Sequence, residues 1–182
     1  QARVMARALR YALKELMPNV IEGMEEISKS MYAHIKANQL TTISWTSPSG
    51  FKVVQSKYQI KSQQIQMLGS NQRITIDSIL WDKINPLKHK TSTAPNLVHS
   101  IDGACLHIAF EKVQFPFSLI HDSVLTRACD MEDAVQLLKQ TYVDVFTKDV
   151  LGDFCKEVGM EVPISKGNLD VNCVLDSQFY FS

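Results

Sequence analysis

The spacing of the apolar residues changes twice along the chain, and this constrains the fold more than any other feature. Within residues 1–37 apolar side chains recur every three or four positions, which is the helical spacing. From Thr41 the spacing becomes two, as in strands, and the helical spacing returns after Pro95. We therefore predict an α+β fold with two leading helices, antiparallel strands and a hairpin over 41–78, and a helix over 96–110.

Pro18 should divide the leading stretch into two helices, because a proline inside a helix removes a hydrogen bond and clashes with the preceding turn. The chain opens on Gln1 already in helical rhythm, so we expect it to belong to a longer protein. The apolar stripes of these helices should then be exposed when the chain is alone, and should favour aggregation.

Turn residues locate the connections between the predicted strands. The run TSPSG at 46–50 reads as a hairpin turn, and Gly69 and Asn71 separate two further strands. Residues 82–95 are polar, contain two prolines and gather four basic side chains. We expect this stretch to be a solvent-exposed connection, with a phosphate-contacting loop as the alternative.

Four residues of the helix predicted after Pro95 stand at spacings of three and four. Asn96, His99, Asp102 and Gly103 should therefore share one helix face, where the missing glycine side chain would permit close approach of a substrate. The alternative is a His–Asp pair on an ordinary solvated surface.

A charged motif interrupts two apolar runs near residue 122. The run FPFSLIH predicts a strand buried on both faces, and VLTRAC predicts a second strand, so Asp122 and Ser123 should form the turn of a hairpin within 115–129. A carboxylate there must be exposed in a cleft, hydrogen-bonded or bound to a cation. The alternative is an ordinary turn, since both residue types are common in turns. Beyond it, Asp130 should cap the first of the helices in 131–182.

Charge and cysteine content exclude little. Lysine plus arginine and aspartate plus glutamate number 19 each, which neither supports nor excludes a polyanionic partner. No apolar run is long enough to span a membrane and no leader peptide is recognisable, so we expect an intracellular protein without a membrane partner. The four cysteines have neither zinc-site nor disulfide spacing, so we expect reduced thiols that are mostly packed.

Several motifs together carry a family resemblance. APNLVHSIDG at 94–103, LIHDSVLT at 119–126 and KGNLDVNCVLDSQFYFS at 166–182 occur in the order and at the spacing of the C-terminal part of phage-type single-subunit DNA-directed RNA polymerases. WTSPSGFKV and VLGDF belong to the same block, so the resemblance covers nearly the whole chain. It implies part of a right-hand polymerase palm with packed fingers helices.

The resemblance also implies the chemistry. Asp122 looks like one of the two metal-binding aspartates of the palm and would be catalytic through Mg²⁺. His121 and His99 resemble residues near the RNA end and the incoming nucleotide. The other aspartate and the lysine- and tyrosine-bearing helix would lie upstream of Gln1, so the 182 residues alone should be inactive. Bulky Val124 and Leu125 depart from the phage pattern.

The implied partners are a DNA template, an RNA transcript and nucleoside triphosphates, in a monomeric parent enzyme. The phage-like motifs imply the cytoplasm of an infected cell, with an organelle as the alternative. Two other classes stay open: a DNA polymerase of the related palm family, whose motif is usually His-Asp-Glu, and a non-catalytic nucleic-acid-binding domain. The tail predicts Phe181 near the hairpin of Asp122, with the Ser182 carboxylate close to metal or substrate, or else a plain structural edge.

Overall fold

A computed structural model describes residues 2–69, 71–161 and 167–178 of the chain. This described part contains five α-helices and six β-strands. They are α1 (Ala2–Leu16), α2 (Pro18–Asn38), β1 (Ile43–Thr46), β2 (Lys52–Gln55), β3 (Tyr58–Gln66), β4 (Arg73–Ile84), α3 (Pro86–Phe110), β5 (Phe117–Ile120), β6 (Ser123–Thr126), α4 (Met131–Phe146) and α5 (Val150–Val158). The predicted tail contacts of Phe181 and Ser182 lie outside the described residues.

The strands form three separate two-stranded antiparallel sheets, which confirms the α+β prediction. We call β1–β2 the first hairpin, β3–β4 the ribbon and β5–β6 the HDS hairpin. In the first hairpin Ile43 lies opposite Gln55, and Gly50 takes a φ of 82°, which a glycine adopts without strain. The turn that TSPSG predicted is therefore present.

The leading helices separate at proline, as predicted. Pro18 occupies the start of α2, where its missing N–H has no partner to lose. The helix α1 has no buried residue, and its apolar side chains such as Met5 and Leu9 are exposed, which confirms the expected apolar stripe. For α2 the prediction of an exposed apolar stripe is wrong, because Ile27, Met31 and Ile35 are buried against α3.

The main core lies where α2, α3, α5 and the first hairpin meet. Trp45 of β1 is buried in it, and its ring meets that of Phe154 edge-on with centroids 5.4 Å apart. Glu157 of α5 also accepts hydrogen bonds from the backbone amide and the hydroxyl of Thr46, both at 2.8 Å. The first hairpin is thus fixed between α3 and α5.

The prediction of an exposed connection over 82–95 is wrong. Its first residues complete β4, and the rest forms the opening turns of α3, with Pro95 inside the helix. A proline there costs about 3 kcal/mol. His89, Thr93 and Ala94 are buried against the rest of the fold, and this packing offsets the cost. For the same reason α3 begins at Pro86 and not after Pro95.

A smaller core joins the C-terminal half of α3 to α4 and the HDS hairpin. Leu106, Phe110 and Leu138 are buried in it, and Leu119 and Val124 pack against them. The prediction that β5 is buried on both faces is wrong, because Phe117, Ser118 and Ile120 are exposed. The hairpin is only two strands wide, so just one of its faces meets the helices.

The structure confirms two further predictions only in part. Asp130 stands at the N-cap position of α4 without a capping hydrogen bond, and its carboxylate instead accepts from Arg127 Nε at 2.6 Å. That partner holds the pKa of Asp130 below its usual value.

All four cysteines are free thiols, but only Cys105 and Cys155 are buried. Among the described residues no helix has the length and apolarity to cross a membrane.

Candidate functional site

A groove of about 320 Å³ runs between the first hairpin and α3. Phe51 and Val53 form one wall, and His99, Gly103 and His107 lie along the helix wall. A Cβ placed on Gly103 would meet no atom within 4 Å, so no contact within the described chain requires a glycine there. The bare backbone instead leaves the groove open to a ligand.

Two hydrogen bonds hold the walls of this groove together. Trp45 Nε1 donates to Ser100 Oγ at 3.0 Å, and Asn96 Nδ2 donates to Gln55 Oε1 at 2.8 Å. Each bond joins a strand of the first hairpin to α3. Because both hydrogen bonds are at least partly buried, they fix the position of the helix face that carries His99.

The structure divides the helix face that the sequence predicted as one. Asn96, His99 and Gly103 line the groove beside the first hairpin, whereas Asp102 lines a second groove of about 710 Å³ formed largely by α2, α3 and α4. His99 borders both grooves.

Cys105 also lines the second groove. Burial, with a smaller contribution from the Asp102 charge, raises the pKa of Cys105 to about 11, so this thiol is not a nucleophile near neutral pH.

A buried polar network lies behind the first hairpin, centred on His89. The backbone amide of Lys57 donates to His89 Nε2 at 3.2 Å. His89 Nδ1 lies 2.9 Å from Nε2 of the Gln55 side-chain amide. The hydroxyl of Thr93 donates to the His89 carbonyl at 2.8 Å. The network ties β2, the start of the ribbon and α3 into one unit.

Burial, and secondarily the charge of Lys57, lowers the pKa of His89 below its usual value of 6.5. Between these two pKa values the unfolded chain binds a proton that the folded chain does not. The free energy of unfolding should therefore fall as the pH drops below about 6.5. Urea unfolding of wild type and of His89→Gln between pH 8 and pH 5 measures this. The variant should lose part of the pH dependence, and identical slopes in both proteins would contradict the prediction.

The HDS hairpin presents its charged motif at the turn. Ile120 pairs with Ser123, so His121 and Asp122 alone form the two-residue loop. The turn predicted at Asp122 and Ser123 therefore lies one residue earlier, because Ser123 already belongs to β6. His121 has a φ of 57°, a left-handed conformation that costs a residue with a side chain about 1 kcal/mol or more. Both side chains are exposed. A positive φ at the first loop position is the geometry that a tight two-residue hairpin turn requires.

The HDS hairpin is anchored by aromatic packing at the end of α3. Phe110 is buried, and its ring centroid lies 4.9 Å from that of Phe117 and 6.5 Å from that of Phe115. Phe110 stands eleven positions after His99 in α3, which corresponds to about 16 Å along the helix axis. The described residues show no hydrogen bond between His99 and this hairpin. The two candidate sites therefore lie along one helix without direct contact.

Asp122 offers oxygen atoms, the donors that Mg²⁺ prefers. Within residues 2–69, 71–161 and 167–178, no group of three or more His, Cys, Asp or Glu side chains is placed to hold a metal ion. The donor chemistry of Asp122 thus fits Mg²⁺, but a complete coordination shell needs ligands from elsewhere.

Sequence reasoning predicted three lining residues of the first groove, Asn96, His99 and Gly103, and missed the other six, among them Ser47, Phe51 and His107. His107 stands four residues after Gly103, so the helical spacing could have revealed it. Phe51 follows the turn of the first hairpin, far from α3 in sequence. Only the packing of this hairpin on α3 brings Phe51 into the groove. No local pattern signals such a contact.

Comparisons with known proteins agree over most of the chain. Residues 2–165 match the family described as DNA-dependent RNA polymerase. DNA-directed RNA polymerase 2, chloroplastic/mitochondrial, of Arabidopsis thaliana is 27% identical over 160 residues, which make up 82% of this chain and 16% of that protein. The DNA-directed RNA polymerase of Pseudomonas phage phiKMV is 25% identical over 182 residues, covering 97% of this chain and 22% of the relative. The chain thus spans about a fifth of the length of these two relatives.

Proposed function

The chain belongs to the DNA-dependent RNA polymerase family, and from this premise we propose that it is the C-terminal palm and fingers part of a polymerase that extends an RNA 3′ end on a DNA template. The family match over residues 2–165 carries this proposal. It favours the RNA enzyme over the DNA polymerase and over the non-catalytic domain that the sequence left open.

In this proposal Asp122 holds Mg²⁺ at the tip of the HDS hairpin. When bound, Mg²⁺ stabilises the charge that develops on the attacking and leaving oxygens of phosphoryl transfer. Asp122 contributes one carboxylate from a turn whose orientation is set by the packing of Leu119 and Val124 on the helices. A second carboxylate would come from another part of the complete enzyme.

The two histidines would position substrate and not transfer protons. His121 stands beside Asp122 in the loop, within reach of an RNA end bound at that carboxylate. His99 projects from α3 into a groove whose open glycine position admits a nucleotide or a primer end. Positioning of this kind lowers the barrier by orienting reactants before the reaction.

The proposed partners are template DNA, the RNA transcript and nucleoside triphosphates, in a monomeric enzyme. We favour a phage enzyme acting in the cytoplasm of an infected cell, since the phage relative aligns over 97% of this chain and the plant relative over 82%. The plant relative keeps the organellar alternative open.

RNA synthesis from a template, four nucleoside triphosphates and Mg²⁺ tests the proposed function. We expect the complete protein to synthesise RNA and the purified 182-residue chain to synthesise none, because the described residues contain no group of three or more His, Cys, Asp or Glu side chains placed to hold a metal ion. Template-dependent synthesis by the 182 residues alone would refute the need for a second carboxylate. A complete protein that extends only DNA would refute the choice of product.

A further inference from the structure

The groove between the first hairpin and α3 has almost no fixed charge on its walls. No lysine, arginine, aspartate or glutamate of the described chain lines it, whereas Phe51, Val53 and Ala104 give it apolar surface. The ring of Phe51 is exposed there. A groove without lysine or arginine suits the uncharged sugar and base of a nucleotide better than its phosphates.

Most polar groups on these walls already have hydrogen-bond partners within the chain. Ser100 Oγ accepts from Trp45 Nε1 and donates to the Leu97 carbonyl at 2.7 Å. Ser47 Oγ lies 3.0 Å from Ser49 Oγ. The polar groups that the described walls offer to a ligand are therefore one side-chain amide and two imidazoles.

The orientation of that amide, which belongs to Asn96, follows from a chain of hydrogen bonds that begins in the core. Thr93 has a single hydroxyl proton and donates it to the His89 carbonyl at 2.8 Å. Its oxygen therefore accepts from Gln55 Nε2, which lies 3.1 Å away. Gln55 Oε1 then faces Asn96 and accepts from Asn96 Nδ2 at 2.8 Å. The other atom of this amide, Asn96 Oδ1, has no partner among the described residues.

Burial fixes the inner end of this chain of hydrogen bonds. The exposed fraction is 0% for Thr93 and 3% for Gln55, and a buried amide that loses its partner has a large desolvation penalty. Asn96 is only half-buried, because it stands at the wall of the groove. The core thus holds Asn96 Nδ2, and the acceptor Asn96 Oδ1 is left for a ligand in the groove.

We propose that Asn96 Oδ1 accepts a hydrogen bond from a ribose hydroxyl of a ribonucleotide bound in this groove, and that Gln55 is the positioning residue for Asn96. An amide oxygen only accepts, so it requires a donor on the ligand. His99 stands one helical turn from Asn96, and its imidazole can bond the same sugar. A hydroxyl fits both groups because it donates and accepts.

This inference rests on the proposed function, because an enzyme that makes RNA has reason to recognise the 2′-hydroxyl, the group that distinguishes ribose from deoxyribose. The ribose belongs either to the last nucleotide of the transcript or to the incoming nucleoside triphosphate. The chemistry of recognition is the same for both, and the experiment separates them.

Single-turnover extension by the complete protein tests the proposal. One arm compares primers that end in a ribonucleotide or a 2′-deoxynucleotide, and the other compares ribo- and 2′-deoxynucleoside triphosphates. The ratio of the two rate constants in each arm gives the ribose preference of wild type, N96A, Q55M and the control T46V. The control removes a hydrogen bond to Glu157 on the other side of the same hairpin and leaves Asn96 and Gln55 in place.

We expect wild type to prefer ribose in at least one arm, and N96A to reduce that preference about five- to tenfold because one hydrogen bond is lost. Q55M should reduce it similarly although Asn96 is kept, whereas T46V should keep the wild-type preference. A reduction confined to the primer arm identifies the transcript as the source of the ribose, and one confined to the other arm identifies the triphosphate.

Circular dichroism melting checks that each variant is folded, and N96A decides the question if Q55M does not fold. Four results would overturn the proposal: a wild type without ribose preference, an N96A variant slowed equally on ribose and deoxyribose, a folded Q55M with wild-type preference, or a T46V loss as large as that of N96A. A complete protein that makes no RNA would instead refute the proposed function.

Discussion

Replacing Asp122 with asparagine in the complete enzyme is expected to reduce the rate of RNA synthesis by at least about 10³-fold, or about 4 kcal/mol of transition-state stabilisation. Asparagine keeps the shape of the side chain and its place in the two-residue loop, but it removes the negative charge that we propose to hold Mg²⁺. Single-turnover extension of a primed template at several Mg²⁺ concentrations measures the loss. Wild-type turnover by the variant would remove Asp122 from the mechanism.

His99→Ala serves as the comparison in the same titration. Because His99 lies on the groove wall and not at the HDS turn, this variant should bind substrate less well or relax the choice of sugar. Its dependence on Mg²⁺ should stay that of wild type, whereas Asp122→Asn should need more Mg²⁺. Equal shifts in Mg²⁺ dependence would mean that the two residues do not have the separate roles proposed for them.

Replacing Phe110 with alanine is expected to destabilise the fold by about 3–5 kcal/mol and to impair RNA synthesis although Asp122 is kept. The Phe110 side chain is 3% exposed, and its ring contacts both Phe115 and Phe117 at the start of the HDS hairpin. Its loss leaves a cavity beneath the hairpin, so the carboxylate loses its fixed position. Urea unfolding measures the first effect and the extension assay the second.

Tyr11→Ala is the matched control for Phe110→Ala, because Tyr11 is also a large ring on a helix but is 72% exposed. It should change the free energy of unfolding by less than about 0.5 kcal/mol. A Phe110 variant as stable as this control would show that the aromatic cluster does not support the hairpin. A destabilised Phe110 variant with unchanged extension rate below its melting temperature would show that Asp122 needs no such support.

The two grooves that His99 borders also show why the candidate sites could be predicted only in part. A tight turn near Asp122 was predictable, since a short polar stretch between β-prone runs is a local signal, but its position was predicted one residue too late, at Asp122 and Ser123. The division of Asn96, His99 and Asp102 between two grooves was not. Which side of a helix meets which neighbour depends on the placement of the first hairpin and α4, and helical spacing carries no information about either.

The sequence by itself determined the features that depend on neighbouring residues in the chain. Pro18 separates two helices because its ring excludes a continuous helical backbone there. The glycine of TSPSG closes the first hairpin because the turn requires a positive φ. Alternating side chains predicted the strands of the ribbon, although not that both of its faces would stay exposed.

The tertiary structure alone decided where α3 begins and what its polar residues do. Residues 82–95 look like a loop because their side chains are polar and two are prolines, and local propensity favours that interpretation. Gln55 contacts His89 and Asn96 across 34 and 41 residues of sequence, and these buried bonds satisfy side chains that otherwise could not enter a core. Such contacts join elements that are distant in sequence, so no local sequence pattern indicates them and they form only when the chain folds.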